Sequence, residues 1–330
     1  MINKSKIKKI LVISHTNIGD VIMSSPAVDI LKNDFPDAKV SVVVGPKAES
    51  LMRNNPNLDK VHIYDKYQHP LKTLKWIWGL RKEKFDLIVD LRNSAMPFMI
   101  GARYKTSPFL KRVKGQHSRQ QHLDRLRSVY PYGHESSKKY AIAPAQEDKD
   151  AVDKLLGRMT GAKNVVMGPS AANPEKRWLP ERFAQASDAL IEKYGVNIIF
   201  VGDKNDKDIV ADIMKQMKHP AIDLCGKITL VQLVYVFQNS VLAIANDSSP
   251  MHLASYANVA VVGLFGYSEP SGARPWSDNS CYLRKNQDCP VCQGKEEGVP
   301  HTCMGGITVD DLLSVISIAG NEVTLKNLHE

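Results

Sequence analysis

Asp20, the acid of Ile18-Gly19-Asp20, lies after an apolar run and a short polar turn, and it opens a segment of helical periodicity. A carboxylate in that place lies beside the positive end of the helix dipole, at the edge of a sheet where ligands bind. Two roles suit the residue type. Asp20 is a helix-capping aspartate, which this pattern alone favours, or it is a general base that takes a proton from a reacting hydroxyl.

A second polar stretch, NDSSPMH, follows another apolar strand and opens a second helix. It holds Asp247, Ser248, Ser249, Pro250 and His252. Proline is favourable in a first helical turn, and the free amides, the hydroxyls and the helix dipole together predict an anion site. Asp247 would repel a phosphate, so we assign it to a sugar hydroxyl or to the shape of the turn. His252 lies within reach of the same anion. Considered separately, each has a structural explanation: the serines would cap the helix N-terminus, and the histidine would be a buried residue with its hydrogen bonds satisfied.

A third stretch, GPSAANPEKRW, also follows a strand. Its small-residue turn holds Ser170, Ala171 and Ala172, and Lys176 comes shortly before the next helix. Backbone amides of such a turn and a lysine suit phosphate oxygens. The spacing of a P-loop is absent, and a solvated charged loop is the alternative.

Other motifs restrict the chemistry. The sequence has neither G-x-G-x-x-G after its first strand nor G-x-S-x-G, which argues against a dinucleotide oxidoreductase and an α/β-hydrolase. The acid pairs at 148–150 and 206–208 are predicted to lie on exposed helix starts, without metal chemistry. A further cluster has an irregular zinc-like spacing, and a structural metal or reduced thiols remain open for it. Its members are Cys289, Cys292, His301 and Cys303.

The elements that position these residues alternate between strand and helix. This alternation predicts an α/β fold with mostly parallel sheets covered on both faces. The pattern restarts near 140–160, and at 330 residues the chain is long enough for two domains, predicted as 1–150 and 151–330. Strands are predicted at 9–14, 39–44, 61–64, 85–91, 164–167, 197–201, 241–245 and 259–265, and helices at 20–33, 71–84, 146–158 and 180–194.

Charge is distributed unevenly between the two halves. Residues 1–140 carry 26 Lys and Arg against 12 Asp and Glu, a net charge of +14, whereas residues 141–330 carry 18 against 23, a net −5. The first half therefore favours an anionic partner, such as a membrane surface. Nucleic acid is not expected, because no zinc-finger, RNP-like or bZIP pattern is present. One basic cluster consists of Lys111, Arg112, Lys114 and Arg119.

The N-terminus, MINKSKIKKILVIS, has lysines before an apolar run that is too short for a signal peptide. No stretch approaches the roughly 18 apolar residues of a membrane span. A cytoplasmic location is expected.

Several of these motifs occur together in a known family. KKILVISHTNIGDVIMSSPAVDILKNDFPDAKVSVVV, KRWLPERF, NDSSPMHLASYANVAVVGLFGYSEP and the CPVC…HTCM…ITVDDLL tail resemble glycosyltransferase family 9, the lipopolysaccharide heptosyltransferases. The resemblance spans nearly the whole chain. It implies a GT-B fold, in which two Rossmann-like domains face each other across a cleft. The first would bind the acceptor and the second the nucleotide-sugar.

The resemblance also implies roles for the residues above. Asp20 matches the family's proposed base. Lys176 matches the lysine that contacts the donor phosphate. The segment from Asp247 to Pro250, with His252, matches the residues that bind the diphosphate and the sugar. No catalytic metal and no cofactor are implied. The donor would be ADP-heptose. The acceptor would be the phosphorylated inner core on lipid A, an anionic glycolipid at the cytoplasmic face of the inner membrane. The chain departs from the family at Ala171 and Ala172, where well-known heptosyltransferases carry hydroxyl residues.

Two other functions remain open. A GT-B nucleotide-sugar epimerase would bind the same nucleotide but release a changed sugar nucleotide without an acceptor. A non-catalytic relative would only bind a nucleotide-sugar or lipopolysaccharide, although the retained Asp20 speaks against it.

Overall fold

The computed structural model describes residues 2–110, 113–157, 163–285, 289 and 302–326. The chain divides into two compact units, Met1–Ala145 and Gln146–Glu330. Because residues 141–145 carry no charge, the first unit keeps the net charge of +14 and the second the net −5.

Among the described residues, the first unit holds a parallel sheet of five strands: β1 (Lys9–Ile13), β2 (Lys39–Val44), β3 (Lys60–Ile63), β4 (Leu87–Asp90) and β5 (Tyr104–Lys105). Its helices are α1 (Ile18–Asp34), α2 (Pro70–Lys82), α3 (Met96–Ile100) and α4 (Ser118–Val129). The strands lie in the order β3-β2-β1-β4-β5, so the strand order reverses between β1 and β4. In open α/β sheets, ligands bind beyond the carboxyl ends of the strands at such a reversal.

The described part of the second unit holds a parallel sheet of six strands: β6 (Asn164–Gly168), β7 (Asn197–Phe200), β8 (Ile222–Asp223), β9 (Leu242–Asn246), β10 (Ala260–Phe265) and β11 (Ser280–Arg284). Its helices are α5 (Gln146–Leu156), α6 (Pro180–Tyr194), α7 (Lys207–Gln216), α8 (Leu230–Gln238), α9 (Ser249–Ala257), α10 (Thr302–Gly305) and α11 (Val309–Val315). The strand order is β11-β10-β9-β6-β7-β8, with the reversal between β6 and β9. Strands β12 (Ile316–Ala319) and β13 (Glu322–Leu325) form a separate antiparallel hairpin.

The predicted α/β class with two Rossmann-like units is confirmed. Its central strands are continuous apolar runs that are buried along almost their whole length, as in KILVI of β1 and LAIAN of β9. Such runs are typical of parallel strands covered on both faces. The sequence pattern does not predict helix α4, because its buried face carries the polar residues His122 and Arg125 beside Leu123 and Leu126.

Helix α1 begins two residues earlier than predicted, at Ile18, with Asn17 at its N-cap. The interpretation of Asp20 as the capping residue is therefore wrong, because Asp20 lies inside the first turn. None of the described helices combines the length and the apolar character needed to cross a bilayer.

The loop between β1 and α1 passes very close to Gly45, at the end of β2. A β-carbon added at Gly45 would lie 2.6 Å from Cα of Thr16 and 2.8 Å from its carbonyl oxygen. The amide of Gly45 also donates to the carbonyl of His15 at 3.1 Å. Only glycine allows this approach without moving backbone atoms, and the loop leads directly to Asp20.

We expect Gly45→Ala to destabilise the protein by about 1–3 kcal/mol, because overpacking here displaces backbone rather than a flexible side chain. Gly79→Ala is the matched control, since a β-carbon at Gly79 in α2 would meet nothing within 4 Å. That variant should be neutral or more stable, because alanine is the better helix former. Scanning calorimetry of both variants tests the expectation, and equal melting temperatures would contradict it.

Candidate active site

The polar turns of the second unit meet where its strand order reverses. β6 and β9 are neighbours in register, with Gly168 opposite Ala245. The loops that follow these strands therefore leave the sheet side by side. A β-carbon at Gly168 would lie 2.9 Å from Cβ of Ala245 and 3.3 Å from Cβ of Pro250, so glycine lets the start of α9 approach β6.

Asn246, the last residue of β9, connects three segments of this site. Its side chain is fully buried. Nδ2 donates to the carbonyl of Pro169 at 2.6 Å, and Oδ1 accepts from the amide of Trp178 at 3.1 Å. The indole of Trp178 in turn donates to the carbonyl of Ile307 at 2.9 Å. Asn246 was not singled out as a site residue. The available signal was a polar side chain at the end of an apolar strand.

Lys176 and Asp247 form an ion pair, with 2.5 Å between Nζ and Oδ2. Lys176 ends a 3₁₀ turn, Pro174–Lys176, whose start is capped by Asn173. The lysine side chain is 27% exposed and the aspartate side chain 8%. An ammonium group has three donors, so Lys176 can bind an anion while it remains paired with Asp247. The sequence assigned separate roles to these two residues, and the structure brings them together.

The N-terminus of α9 is arranged to receive an anion. Ser248 is the N-cap in extended conformation, but its side chain makes no capping hydrogen bond. Instead its hydroxyl donates to the carbonyl of Asn246 at 3.2 Å. The first-turn amides of Ser249 and Met251 therefore have no side-chain cap, and Pro250 has no amide hydrogen. The helix dipole adds to the attraction for negative charge.

The other predicted donor residues differ in exposure. His252 is buried, and its ring stacks on Trp276 with 5.6 Å between centroids. Ser170 and Ala171 are buried, whereas Ala172 is exposed. The carbonyl of Ala171 accepts from Nε of Arg177 at 2.9 Å, which ties the turn after β6 to the residue that follows Lys176.

Asp20 lies in the first unit, also at the reversal of its sheet. It is the third residue of α1 and half-buried. Nδ2 of Asn17 lies 3.3 Å from its Oδ2 and donates to it. The loop that carries Asn17 is tied to the end of β4, because Nε2 of His15 lies 3.1 Å from the carbonyl oxygen of Leu91. Asp20 is thus held at the carboxyl end of β1.

Cationic and imidazole side chains gather around the end of β4. The rings of His15 and His122 lie 4.7 Å apart. The buried guanidinium of Arg125 donates to Oδ1 of Asn93 at 2.9 Å, and that of Arg92 lies 4.7 Å from the ring centroid of Tyr64. Sequence reasoning singled out none of these side chains, because they belong to four separate segments. The two arginines contribute to the positive charge of the first unit near its sheet reversal.

The predicted basic cluster is partly described. Lys111 and Arg112 lie outside the described residues. Lys114 is exposed, and Arg119 forms an ion pair with Glu135. The cluster therefore adds less unpaired charge than the sequence suggests.

The cysteine-rich tail lies mostly outside the described residues, which include Cys289 and Cys303 but neither Cys292 nor His301. The metal hypothesis for these four residues therefore stays a hypothesis. Within the described ranges, no group of three or more His, Cys, Asp or Glu residues is placed to hold a metal ion. Burial raises the pKa of the Cys225 and Cys281 thiols to about 12. These two residues therefore stay protonated at neutral pH and are poor nucleophiles.

The sequence matches known proteins over most of its length. The family model described as glycosyltransferase family 9 (heptosyltransferase) matches residues 74–302. The chain is 28% identical over 286 residues to lipopolysaccharide heptosyltransferase 3 of Escherichia coli, covering 79% of this chain and 84% of that protein. It is 28% identical over 334 residues to lipooligosaccharide heptosyltransferase 2 of Campylobacter jejuni, covering 97% of this chain and 99% of that protein.

Solved structures show the same fold. A glycosyl transferase family 9 protein from Veillonella parvula matches with a TM-score of 0.76 at 23% identity, covering 93% of this chain and 95% of that one. The ADP-heptose lipopolysaccharide heptosyltransferase II of E. coli matches with a TM-score of 0.72 at 20% identity, covering 93% of this chain and 96% of that one.

Proposed function

Because the chain belongs to glycosyltransferase family 9, we propose that it transfers heptose from ADP-heptose to a lipopolysaccharide core or a related anionic glycan, with inversion and without a catalytic metal. The names of the relatives, lipopolysaccharide and lipooligosaccharide heptosyltransferases, support the sugar and the acceptor class. The observation that carries the proposal is the Lys176–Asp247 pair in the unit that also holds the uncapped start of α9. Both features suit a nucleotide diphosphate as leaving group.

In the proposed mechanism, Asp20 removes the proton from the acceptor hydroxyl as its oxygen attacks the anomeric carbon. The bond from that carbon to the diphosphate breaks, and the diphosphate gains negative charge. Lys176, the first-turn amides of α9 and His252 stabilise this charge in the transition state. The turn on the donor side is lined by Ser170, Ala171 and Ala172. The start of α9 is formed by Ser248, Ser249 and Pro250. Asp247 orients Lys176.

The first unit would hold the acceptor. Its net charge of +14 is complementary to a phosphorylated glycolipid, and the second unit, at −5, lacks that excess. Arg92 and Arg125, near the end of β4, are two cations that lie at the sheet reversal of this unit. The acceptor would lie at the cytoplasmic face of the inner membrane.

Calorimetric titration with ADP, UDP and GDP, each with Mg²⁺ or with EDTA, tests the donor assignment. We expect ADP to bind at least about tenfold more tightly than the others, equivalent to 1.4 kcal/mol, and equally well in EDTA. A preference for UDP or GDP would contradict the heptose assignment. An assay with ADP-heptose and an acceptor would then separate transfer from epimerisation, since an epimerase changes the sugar nucleotide without the acceptor.

A further inference from the structure

Helix α2 of the first unit exposes an apolar stripe to solvent. Leu71 is 69% exposed, Leu74 42% and Trp78 63%. Their spacing of i, i+3 and i+7 places all three on one face of the helix. Single exposed apolar residues are common on protein surfaces, but a continuous stripe that includes a tryptophan marks an interaction surface.

This stripe is not the face by which α2 packs on its own unit. That face carries Ile77 and Leu80, which are buried in a cluster with Met96 and Ile100 of α3. The packing of the helix is therefore complete without Leu71, Leu74 and Trp78.

Helix α3, which packs beside α2, also exposes apolar side chains. Phe98 is 51% exposed and Met99 41%. Nη1 of Arg81, near the end of α2, donates to the carbonyl of Met99 at 2.9 Å, which holds the two helices side by side. The five apolar residues will be called the α2–α3 surface: Leu71, Leu74, Trp78, Phe98 and Met99.

Cations border this surface. Residues 66–82 include five lysines and arginines and no acidic residue. All five are exposed: Lys66, Lys72, Lys75, Arg81 and Lys82. On the α3 side, Nζ of Lys105 lies 5.3 Å from the ring centroid of Phe98. Long cationic side chains can rest their methylene groups on apolar material and keep the charge in the polar layer.

We propose that the α2–α3 surface docks onto an anionic phospholipid bilayer, with α2 lying in the plane of the interface. The apolar stripe would enter the boundary between headgroups and acyl chains, Trp78 would sit at headgroup level, and the lysines would contact lipid phosphates. This inference rests on the proposed function in one respect: a lipid-linked acceptor would lie in the membrane onto which this surface docks.

Charge decides between a bilayer and a second copy of the chain as the occupant. A symmetric contact through this surface would bring the five cations of one copy against the same five of the other. The acids that flank this segment, Asp65 and Glu83, already accept from the amide of Tyr67 and from Lys60. An anionic bilayer supplies the opposite charge over the whole surface.

Vesicle flotation tests the proposal. We expect the protein to float with vesicles of phosphatidylcholine and phosphatidylglycerol, not with phosphatidylcholine alone, and to dissociate as salt rises. Lys72→Gln with Lys75→Gln should weaken binding by about fivefold per lysine. Leu74→Ser with Trp78→Ser should remove most of it, although every lysine remains.

Matched controls lie in the second unit. Leu155 is 45% exposed on α5, so Leu155→Ser removes a comparable apolar side chain, and Lys193→Gln with Lys215→Gln removes two exposed charges. These variants should bind vesicles like the unmodified protein. Equal flotation of the surface variants and the unmodified protein would overturn the proposal. The proposal would also be overturned if the unmodified protein sedimented as a dimer without lipid and the variant Leu74→Ser with Trp78→Ser sedimented as a monomer.

Titration of the same variants with ADP keeps this test separate from that of the proposed function. We expect unchanged ADP affinity, which also shows that the variants are folded. If the unmodified protein floats with anionic vesicles but does not bind ADP, the docking surface holds and the donor assignment fails. If it binds ADP but never floats, the donor assignment holds and the docking proposal fails.

Discussion

Replacing Asp20 with asparagine is expected to lower turnover by about 10²- to 10⁴-fold, the usual contribution of a general base. Asparagine has nearly the same size and keeps an oxygen that can accept from Nδ2 of Asn17, now 3.3 Å from Oδ2. It loses the ability to take a proton at neutral pH. The first turn of α1 should therefore keep its shape while the chemical step fails.

Steady-state rates with a verified acceptor, together with ADP titration, measure this effect. ADP affinity should not change, because Asp20 belongs to the first unit and the proposed donor residues belong to the second. Asp37→Asn is the matched control, since Asp37 is an exposed aspartate of the same unit. Near-normal turnover in Asp20→Asn would eliminate Asp20 as the base. Loss of ADP binding would show that the substitution acts through structure instead.

Replacing Lys176 with methionine is expected to lower turnover by about 10²- to 10³-fold, the range measured when one donor to a developing charge is removed. ADP affinity should fall at least about tenfold, because a hydrogen bond between charged groups contributes about 1.5–3 kcal/mol. Unlike Asp20→Asn, this change should affect both ADP binding and the chemical step, because Lys176 would contact the diphosphate in the bound ground state and in the transition state.

The control for Lys176→Met is Lys215→Met. Nζ of Lys215 lies 3.3 Å from Oδ1 of Asp212, but both side chains are mostly exposed, so we expect no effect on stability or rate. Lys176→Met itself leaves the nearly buried Asp247 carboxylate without its cation, which should lower the melting temperature.

A double variant separates the structural effect from the effect on the donor. Lys176→Met with Asp247→Asn removes both charges and should recover much of the stability. If Lys176 binds the diphosphate, ADP affinity stays low in the double variant. Recovery of ADP affinity would show that the pair only holds the site together, and the proposed phosphate contact would be wrong.

The sequence by itself determined the fold class and the family. Short continuous apolar runs such as KILVI are typical of parallel strands covered on both faces, so local composition was sufficient to place the central strands. The motifs around Asp20, Lys176 and Asp247 also follow strands along the chain. Strand and turn signals are local, and in a parallel sheet such turns emerge at one known edge.

Only the tertiary structure decided which of these residues meet. Lys176 and Asp247 are 71 positions apart, and Asn246 is 68 positions from Trp178. These contacts depend on β6 and β9 being neighbours, and strand order is set by the packing of whole elements rather than by local propensity. The exposure of Trp78 and the burial of Arg125 are also decided by the tertiary structure. Whether a side chain is covered depends on distant segments, because burial is a property of the assembled layers and not of the residue itself.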